Sequence, residues 1–161
     1  MADSNSIATP VEPPRGIFQA RVDDKGRLKL PADLKEYVIS WGERKVFVTS
    51  LDLVTARIYP NALWKDNQKF FEEFKADPDA AEDVAFTADD TGGDCDMDDQ
   101  GRVLIPQELR RALAIENQPV WLQCFQGVIH IYSKAVYEER KRRASERLQD
   151  KVRLLRQKGL K

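Results

Sequence analysis

The sequence predicts a mixed, β-rich fold: two copies of one small unit packed as a pseudo-twofold, intertwined β-barrel, with short helices and a C-terminal helix. Three observations predict it. The chain has 161 residues, enough for one ordinary domain or two very small ones. A thirteen-residue stretch starting at Asp23 reappears starting at Asp98, a constant offset of 75, with six positions identical. Around each stretch, short apolar–polar alternations bounded by turn residues read as strands. A β-rich unit of about 45 residues buries too little surface to stand alone, so two copies must pack on each other.

In the first copy residues 17–22 form a strand, and Asp24-Lys25-Gly26 is a turn, because aspartate accepts local N–H groups and glycine supplies a positive φ. Residues 28–30 form a second short strand, alternating apolar and basic side chains. Pro31 stops it, having no N–H for a ladder and a backbone suited to a helix start. Residues 32–39 form a helix with Leu34 and Val38 on one face. Residues 45–50 and 55–59 alternate and pair as a hairpin. In the second copy Gly101 makes the turn, residues 103–105 the strand and 107–113 the helix. Residues 120–124 and 128–132 make the hairpin, with Gln126-Gly127 in its turn. The similarity continues downstream: Val46-Phe47-Val48 answers Val120-Trp121-Leu122, Ile58-Tyr59 answers Ile131-Tyr132, and Leu63-Trp64 answers Val136-Tyr137.

Outside the copies, residues 1–15 read as a flexible arm, with three prolines and no apolar core of a signal peptide. The units are placed at 16–64 and 95–139, joined by a helical and acidic connector at 65–94 in which 67–75 is amphipathic. After Tyr137 one long basic helix is expected to about Gln157, its apolar stripe (Ala144, Leu148, Val152, Leu155) too thin for a buried helix. Residues 140–161 are its basic part. Phe18, Trp41, Trp64 and Trp121 are core or subunit-packing residues.

Charge is sorted along the chain. The 26 basic and 27 acidic residues nearly cancel, which argues against a polycation that coats nucleic acid by bulk charge. Residues 77–101 hold ten acids and no Lys or Arg, whereas residues 135–161 hold ten bases and four acids. The two blocks either attract each other, within or between chains, or form two solvated faces. No apolar run reaches the roughly 18 residues of a membrane span. Cys95 and Cys124, far apart in sequence, fit neither a disulfide framework nor a zinc site and read as reduced thiols of a cytosolic protein. His130 is the only histidine, which points away from acid–base or metal chemistry. Asp94, Asp96, Asp98 and Asp99 could in principle collect a divalent cation, but the repeated turn explains Asp98 and Asp99 better. No enzyme activity, cofactor, metal or small-molecule substrate is expected.

The most specific feature is the repeated Asp-x-x-x-Arg, Asp23 with Arg27 and Asp98 with Arg102, around Gly26 and Gly101. The arginine follows the turn glycine near a hairpin tip, where a guanidinium can hold phosphate or guanine through two parallel bonds. The aspartate repels phosphate, so its role is to accept turn N–H groups or to fix the arginine. Lys25 adds a cation in the first copy, where Gln100 stands in the second. One such motif is most simply a turn closed by its own ion pair; its retention in both copies favours a functional role.

Asp-Asp-Lys-Gly-Arg-Leu-Lys-Leu-Pro and Asp-Met-Asp-Asp-Gln-Gly-Arg-Val-Leu-Ile-Pro, with the Arg-Ile-Tyr-Pro and His-Ile-Tyr-Ser ends of the copies, resemble the twin signature of the MraZ family. The resemblance covers roughly residues 15–140. It implies two swapped-hairpin units of SpoVT/AbrB type in each chain. It also implies a cytoplasmic, nucleoid-associated transcription regulator that binds direct repeats in double-stranded DNA, at the promoter of a division and cell-wall gene cluster. A ring-like homo-oligomer and no membrane partner are implied too. By the same resemblance Arg27 and Arg102 contact DNA, Lys25 matches a basic position of the first copy, and Asp23, Asp98, Gly26 and Gly101 support the motif. The alternative is an oligomeric assembly module that uses the basic C-terminal helix and does not bind DNA. Salt dependence separates the two, because phosphate contacts weaken steeply as salt rises.

Overall fold

A computed structural model describes residues 11–161, so most of the arm read over residues 1–15 lies outside the described residues. The first copy runs β1 (Ile17–Arg21), β2 (Arg27–Lys29), α1 (Ala32–Ile39), β3 (Lys45–Ser50), β4 (Ala56–Pro60) and α2 (Asn61–Glu73). A helix α3 (Pro78–Thr91) follows. The second copy repeats the plan as β5 (Gly93–Asp96), β6 (Arg102–Leu104), α4 (Gln107–Leu113), β7 (Pro119–Phe125), β8 (Val128–Ser133) and α5 (Lys134–Ser145), and α6 (Leu148–Gln157) ends the chain.

Local chemistry explains the boundaries. Pro31 and Pro106 each sit just before a helix, and their carbonyls accept the first helical N–H, from Lys35 and Arg110. In α3 the Asp77 side chain accepts from Ala80 N–H at 3.1 Å, and Pro78 takes the first turn, where no N–H is needed. The β7–β8 turn places Gln126 and Gly127 at φ +55° and +78°, the left-handed pair that a two-residue hairpin loop requires.

Six strands form one antiparallel sheet in the order β1-β7-β8-β4-β3-β5, and β2 pairs with β6 in a separate two-stranded ribbon. If each strand is exchanged for its repeat counterpart, the sheet order reads the same from the other end. Each copy lends its first strand to the other: β1 lies on β7, and β5 lies on β3. At the sheet centre Arg57 faces His130, and in the ribbon Leu28 faces Val103. Both are pairs of repeat-equivalent residues. The ribbon is tied at its ends by Leu30 N–H to Gly101 C=O and Ile105 N–H to Gly26 C=O, both 2.9 Å.

The main core lies between one face of the sheet and the ribbon with α1 and α4. It joins Val46, Val48, Ala56, Ile58, Val120, Leu122, Ile129 and Ile131 from the sheet to Leu28, Leu34, Val103, Ile105 and Leu109 from the other layer. Phe18 and Trp41 pack at its margin. The opposite sheet face carries a smaller cluster of Phe47, Tyr59, Trp64, Ala88 and Val128. Its aromatic contacts repeat across the copies: Phe47 stacks on Trp64 of α2 at 4.6 Å, and Trp121 stacks on Tyr137 of α5 at 4.9 Å.

Among the described residues the six-stranded sheet ends on β1 and β5, and no ladder joins these two edges. The ribbon with α1 and α4 covers the inner face, and an isolated antiparallel bridge pairs Val22, just after β1, with Leu28 of β2. The structure corrects two expectations. The single helix after Tyr137 is two helices, the first already starting at Lys134 with Ser133 as its cap. It stops where Arg147 turns left-handed at φ +51°, and the Lys151 ammonium bonds the Arg143 carbonyl across the break. The connector holds more helix than the amphipathic 67–75 stretch: α2 starts directly after Pro60, and the acidic segment forms α3. Thr49 Oγ1 donates to the Ala88 carbonyl at 2.6 Å, fastening α3 to β3.

Because both copies share one core, unfolding should be a single event. Leu28→Ala should cost about 2–5 kcal/mol, as for a fully buried leucine. Denaturant titrations of variants keeping only Trp41 or only Trp121 should move to the same lower midpoint. Separate midpoints would show that the copies unfold independently.

Candidate nucleic-acid interface

Each Asp-x-x-x-Arg folds onto itself in the same way. Asp23 Oδ1 accepts from the N–H groups of Lys25 (2.9 Å) and Arg27 (2.8 Å), and Oδ2 accepts from Arg27 Nε (3.0 Å). Asp98 does the same for Gln100 (2.9 Å), Arg102 N–H (2.8 Å) and Arg102 Nε (2.7 Å). Gly26 and Gly101 donate back to the Asp23 and Asp98 carbonyls at 3.0 Å, closing both turns at φ +82° and +78°. Each aspartate thus accepts from its own turn and from the arginine that follows it. Each carboxyl is held below the usual aspartate range, first by the backbone N–H of its arginine.

The glycines have a second reason to be glycine, invisible within one copy. A Cβ on Gly26 would sit 2.2 Å from the Arg110 guanidinium of α4, and one on Gly101 would sit 2.9 Å from the Lys35 stem of α1. Lys35 and Arg110 are repeat equivalents, so each copy's helix braces the other copy's turn. Lys35 Nζ donates to the Asp99 carbonyl at 2.8 Å; Arg110 donates to the Ile105 carbonyl and to Glu116.

Strand alternation decides what the ribbon shows to solvent. Leu28 and Val103 are fully buried, so Arg27 and Lys29 of β2 and Arg102 and Leu104 of β6 lie on the other face. Lys29 sits directly opposite Arg102, and Arg27 opposite Leu104. With exposed Lys25 at the neighbouring turn, the ribbon gathers four cations. The arginine side chains are 35% and 31% exposed, and Nε is their bonded atom. Among the described residues the terminal guanidinium nitrogens of both are unpaired, and a free guanidinium fork of this kind is in general able to take two parallel hydrogen bonds. Lys29 was not among the expected site residues, although the apolar–basic alternation of β2 marked it; its position against Arg102 depends on a register that joins the two copies.

The cysteines and the histidine lie on the six-stranded sheet, not on the ribbon. Cys95 and Cys124 are free and half-buried, and burial pushes both thiols up, Cys124 to about 11. His130 is on β8, where burial first and Arg57 second push its imidazole down. Among the described residues no group of three His, Cys, Asp or Glu is placed to hold a metal ion, and no helix is long and apolar enough to cross a membrane. Among the described residues no ion pair joins the acidic and basic blocks: Arg142, Arg147 and Arg153 pair with Glu139, Glu146 and Asp150 nearby, while Asp94 and Asp99 pair with Lys45 and Arg44.

The lowered carboxyl values give a testable sign. A carboxyl lowered on folding adds stability above its unfolded-state value, and that stability is lost as pH falls through the folded value. The melting temperature of the wild type should exceed that of Asp23→Asn plus Asp98→Asn at neutral pH. The gap should close on acidification below about pH 4. A gap independent of pH would show that the ionised carboxylates do not hold the turns.

Comparison with known proteins places the chain in a family. The family model described as "MraZ protein, putative antitoxin-like" matches residues 93–157. A protein of Acidobacterium capsulatum named transcriptional regulator MraZ is 39% identical over 107 residues, covering 66% of this chain and 73% of that protein. A namesake from Caldanaerobacter subterraneus subsp. tengcongensis is 34% identical over 130 residues, covering 77% and 83%. One from Anaeromyxobacter dehalogenans is 29% identical over 126 residues, covering 77% and 86%. These alignments extend well beyond a single hairpin motif, and the chain belongs to the MraZ family, whose members matched here are named transcriptional regulators.

Proposed function

We propose that this transcriptional regulator acts as a sequence-specific DNA-binding protein, and that the β2–β6 ribbon is its reading surface. One observation carries the reading: two arginines, each held at Nε by an aspartate of its own turn, have terminal nitrogens with no partner among the described residues, on one face of one ribbon. Arg27 and Arg102 make the specifying contacts in this reading. Lys25 and Lys29 neutralise phosphate, and Asp23, Asp98, Gly26 and Gly101 shape the turns. The repeat-equivalent pairs Leu28–Val103 and Arg57–His130 support a pseudo-twofold arrangement of two AbrB-like units, residues 16–64 and 95–139, folding as one body.

A single ribbon presents few contacts, so affinity comes from several chains on successive direct repeats, at the promoter of the division and cell-wall genes. Binding one site raises the effective concentration at the next. The half-exposed leucines 148, 154 and 155 of α6 support self-association into a ring-like homo-oligomer. This reading puts the protein in the cytoplasm, at the nucleoid.

Footprinting on the DNA upstream of the protein's own gene tests the reading: regularly spaced protected repeats are expected, and no protection at low salt would refute it. Arg27→Ala or Arg102→Ala should weaken binding by about 1–3 kcal/mol per engaged contact and relax base preference. Lys29→Ala should weaken all sequences alike and reduce the salt slope by about one per chain. Unchanged gel shifts for Arg27→Ala plus Arg102→Ala would remove the ribbon from the interface.

A further inference from the structure

The sheet has a second basic site, on the face away from the ribbon. There α2 packs on β3 and β4, and α5 packs on β7 and β8. A crevice remains between the helices, floored by Arg57 and His130 facing each other across the β4–β8 junction. Two cavities of about 330 and 340 Å³ meet there, both lined by Arg57, Phe125 and His130. Each has the size of a small-ligand site.

The charge of the crevice is lopsided. On the α5 side Arg140 and Arg143 join Arg57. At the constant offset that aligns Arg57 with His130 and Trp64 with Tyr137, their counterparts on α2 are Asn67 and Phe70. The repeated unit thus packs without these two guanidinium groups. Among the described residues neither Arg140 nor Arg143 has an ion pair with a carboxylate, and the buried Nε of Arg57 has no hydrogen-bond partner. Such an orphan is costly unless something satisfies it.

Asp52 is the one acid lining this side. Its Oδ1 already accepts from Val54 N–H, Thr55 N–H and Ser50 Oγ. Burial alone would raise its carboxyl, but these bonds and Arg57 hold it low, so it is ionised. Three guanidinium groups against one carboxylate leave a surplus matched to a dianion.

We propose that this crevice binds a small phosphate-bearing anion, gripped by Arg57, Arg140 and Arg143, with Phe125 beside it for an attached ring. Gln123 and Tyr132 supply further hydrogen-bonding groups on the same side. The site does not depend on the ribbon's function, since its residues lie on the opposite face of the sheet.

Calorimetric titration of the full chain with inorganic pyrophosphate, and separately with a nucleoside monophosphate, tests the proposal. Saturable binding of at least one, with one site per chain, is expected; tighter binding of the nucleotide would assign the ring to Phe125. Arg140→Gln plus Arg143→Gln, on an exposed stretch of helix, should weaken it about tenfold or more. Arg27→Ala plus Arg102→Ala should leave it unchanged. The sole histidine is a built-in reporter: in isotope-labelled protein the His130 ring signal should shift along the same saturation curve. No saturable binding of either anion, undiminished affinity in the Arg140 and Arg143 variant, loss in the ribbon variant, or a His130 signal that does not respond would each overturn the proposal.

Discussion

The fold depends on one constraint: neither copy of the repeat can bury its own apolar residues. Leu28 and Val103 meet across the ribbon, and β1 and β5 find their ladder partners only in the other copy. A lone unit would leave both strand edges and one face of its sheet in water. Exchange removes that cost in a single step and merges two weak cores into one. It also explains why the bracing side chains are exchanged. Once the turns lie against the opposite copy, Lys35 and Arg110 are the nearest long side chains to Gly101 and Gly26.

Much of this was legible because the signals are local and repeated. Pro31 and Pro106, the Asp–Gly turns and the alternation at residues 45–50 and 128–132 mark elements within a residue or two of their observed ends. The repeat also shows in the packing: Phe47 and Trp121 are aligned, as are Trp64 and Tyr137, and the structure stacks Phe47 on Trp64 and Trp121 on Tyr137. What was hidden depends on neighbours far along the chain. α3 has a clear start at Asp77-Pro78, yet its acids mask a face whose Ala81 and Ala88 are buried. The break at Arg147 has no proline or glycine to announce it. The outward place of Lys29, opposite Arg102, follows from inter-copy register.

The two proposed arginine sites differ in how the repeat is used. In the ribbon the same aspartate, glycine and arginine stand in both copies, and their geometry agrees to within a few tenths of an ångström. On the outer sheet face the copies have diverged: Arg57 answers His130, Asn67 answers Arg140 and Phe70 answers Arg143. Packing tolerates the divergence because the stacks of Trp64 and Tyr137 hold each helix from one side, leaving the crevice wall free to vary.

Near-zero net charge is compatible with the proposed DNA reading because of where the acids stand. The long acid-rich run is spent on α3, on β5 and on the second turn, and within that turn Asp98 lies under the arginine rather than beside its fork. A carboxylate bonded to Nε fixes the guanidinium plane while leaving the terminal nitrogens unpaired, so part of the side-chain entropy is lost before any ligand arrives. A lysine could not be held this way, since its charge and its donors are one group. A surface built on such arginines gains little from bulk attraction at a distance and more from fit at contact. Its discrimination should therefore outlast its affinity as salt rises, because counterion release sets the salt dependence of affinity while base contacts set the preference among sequences.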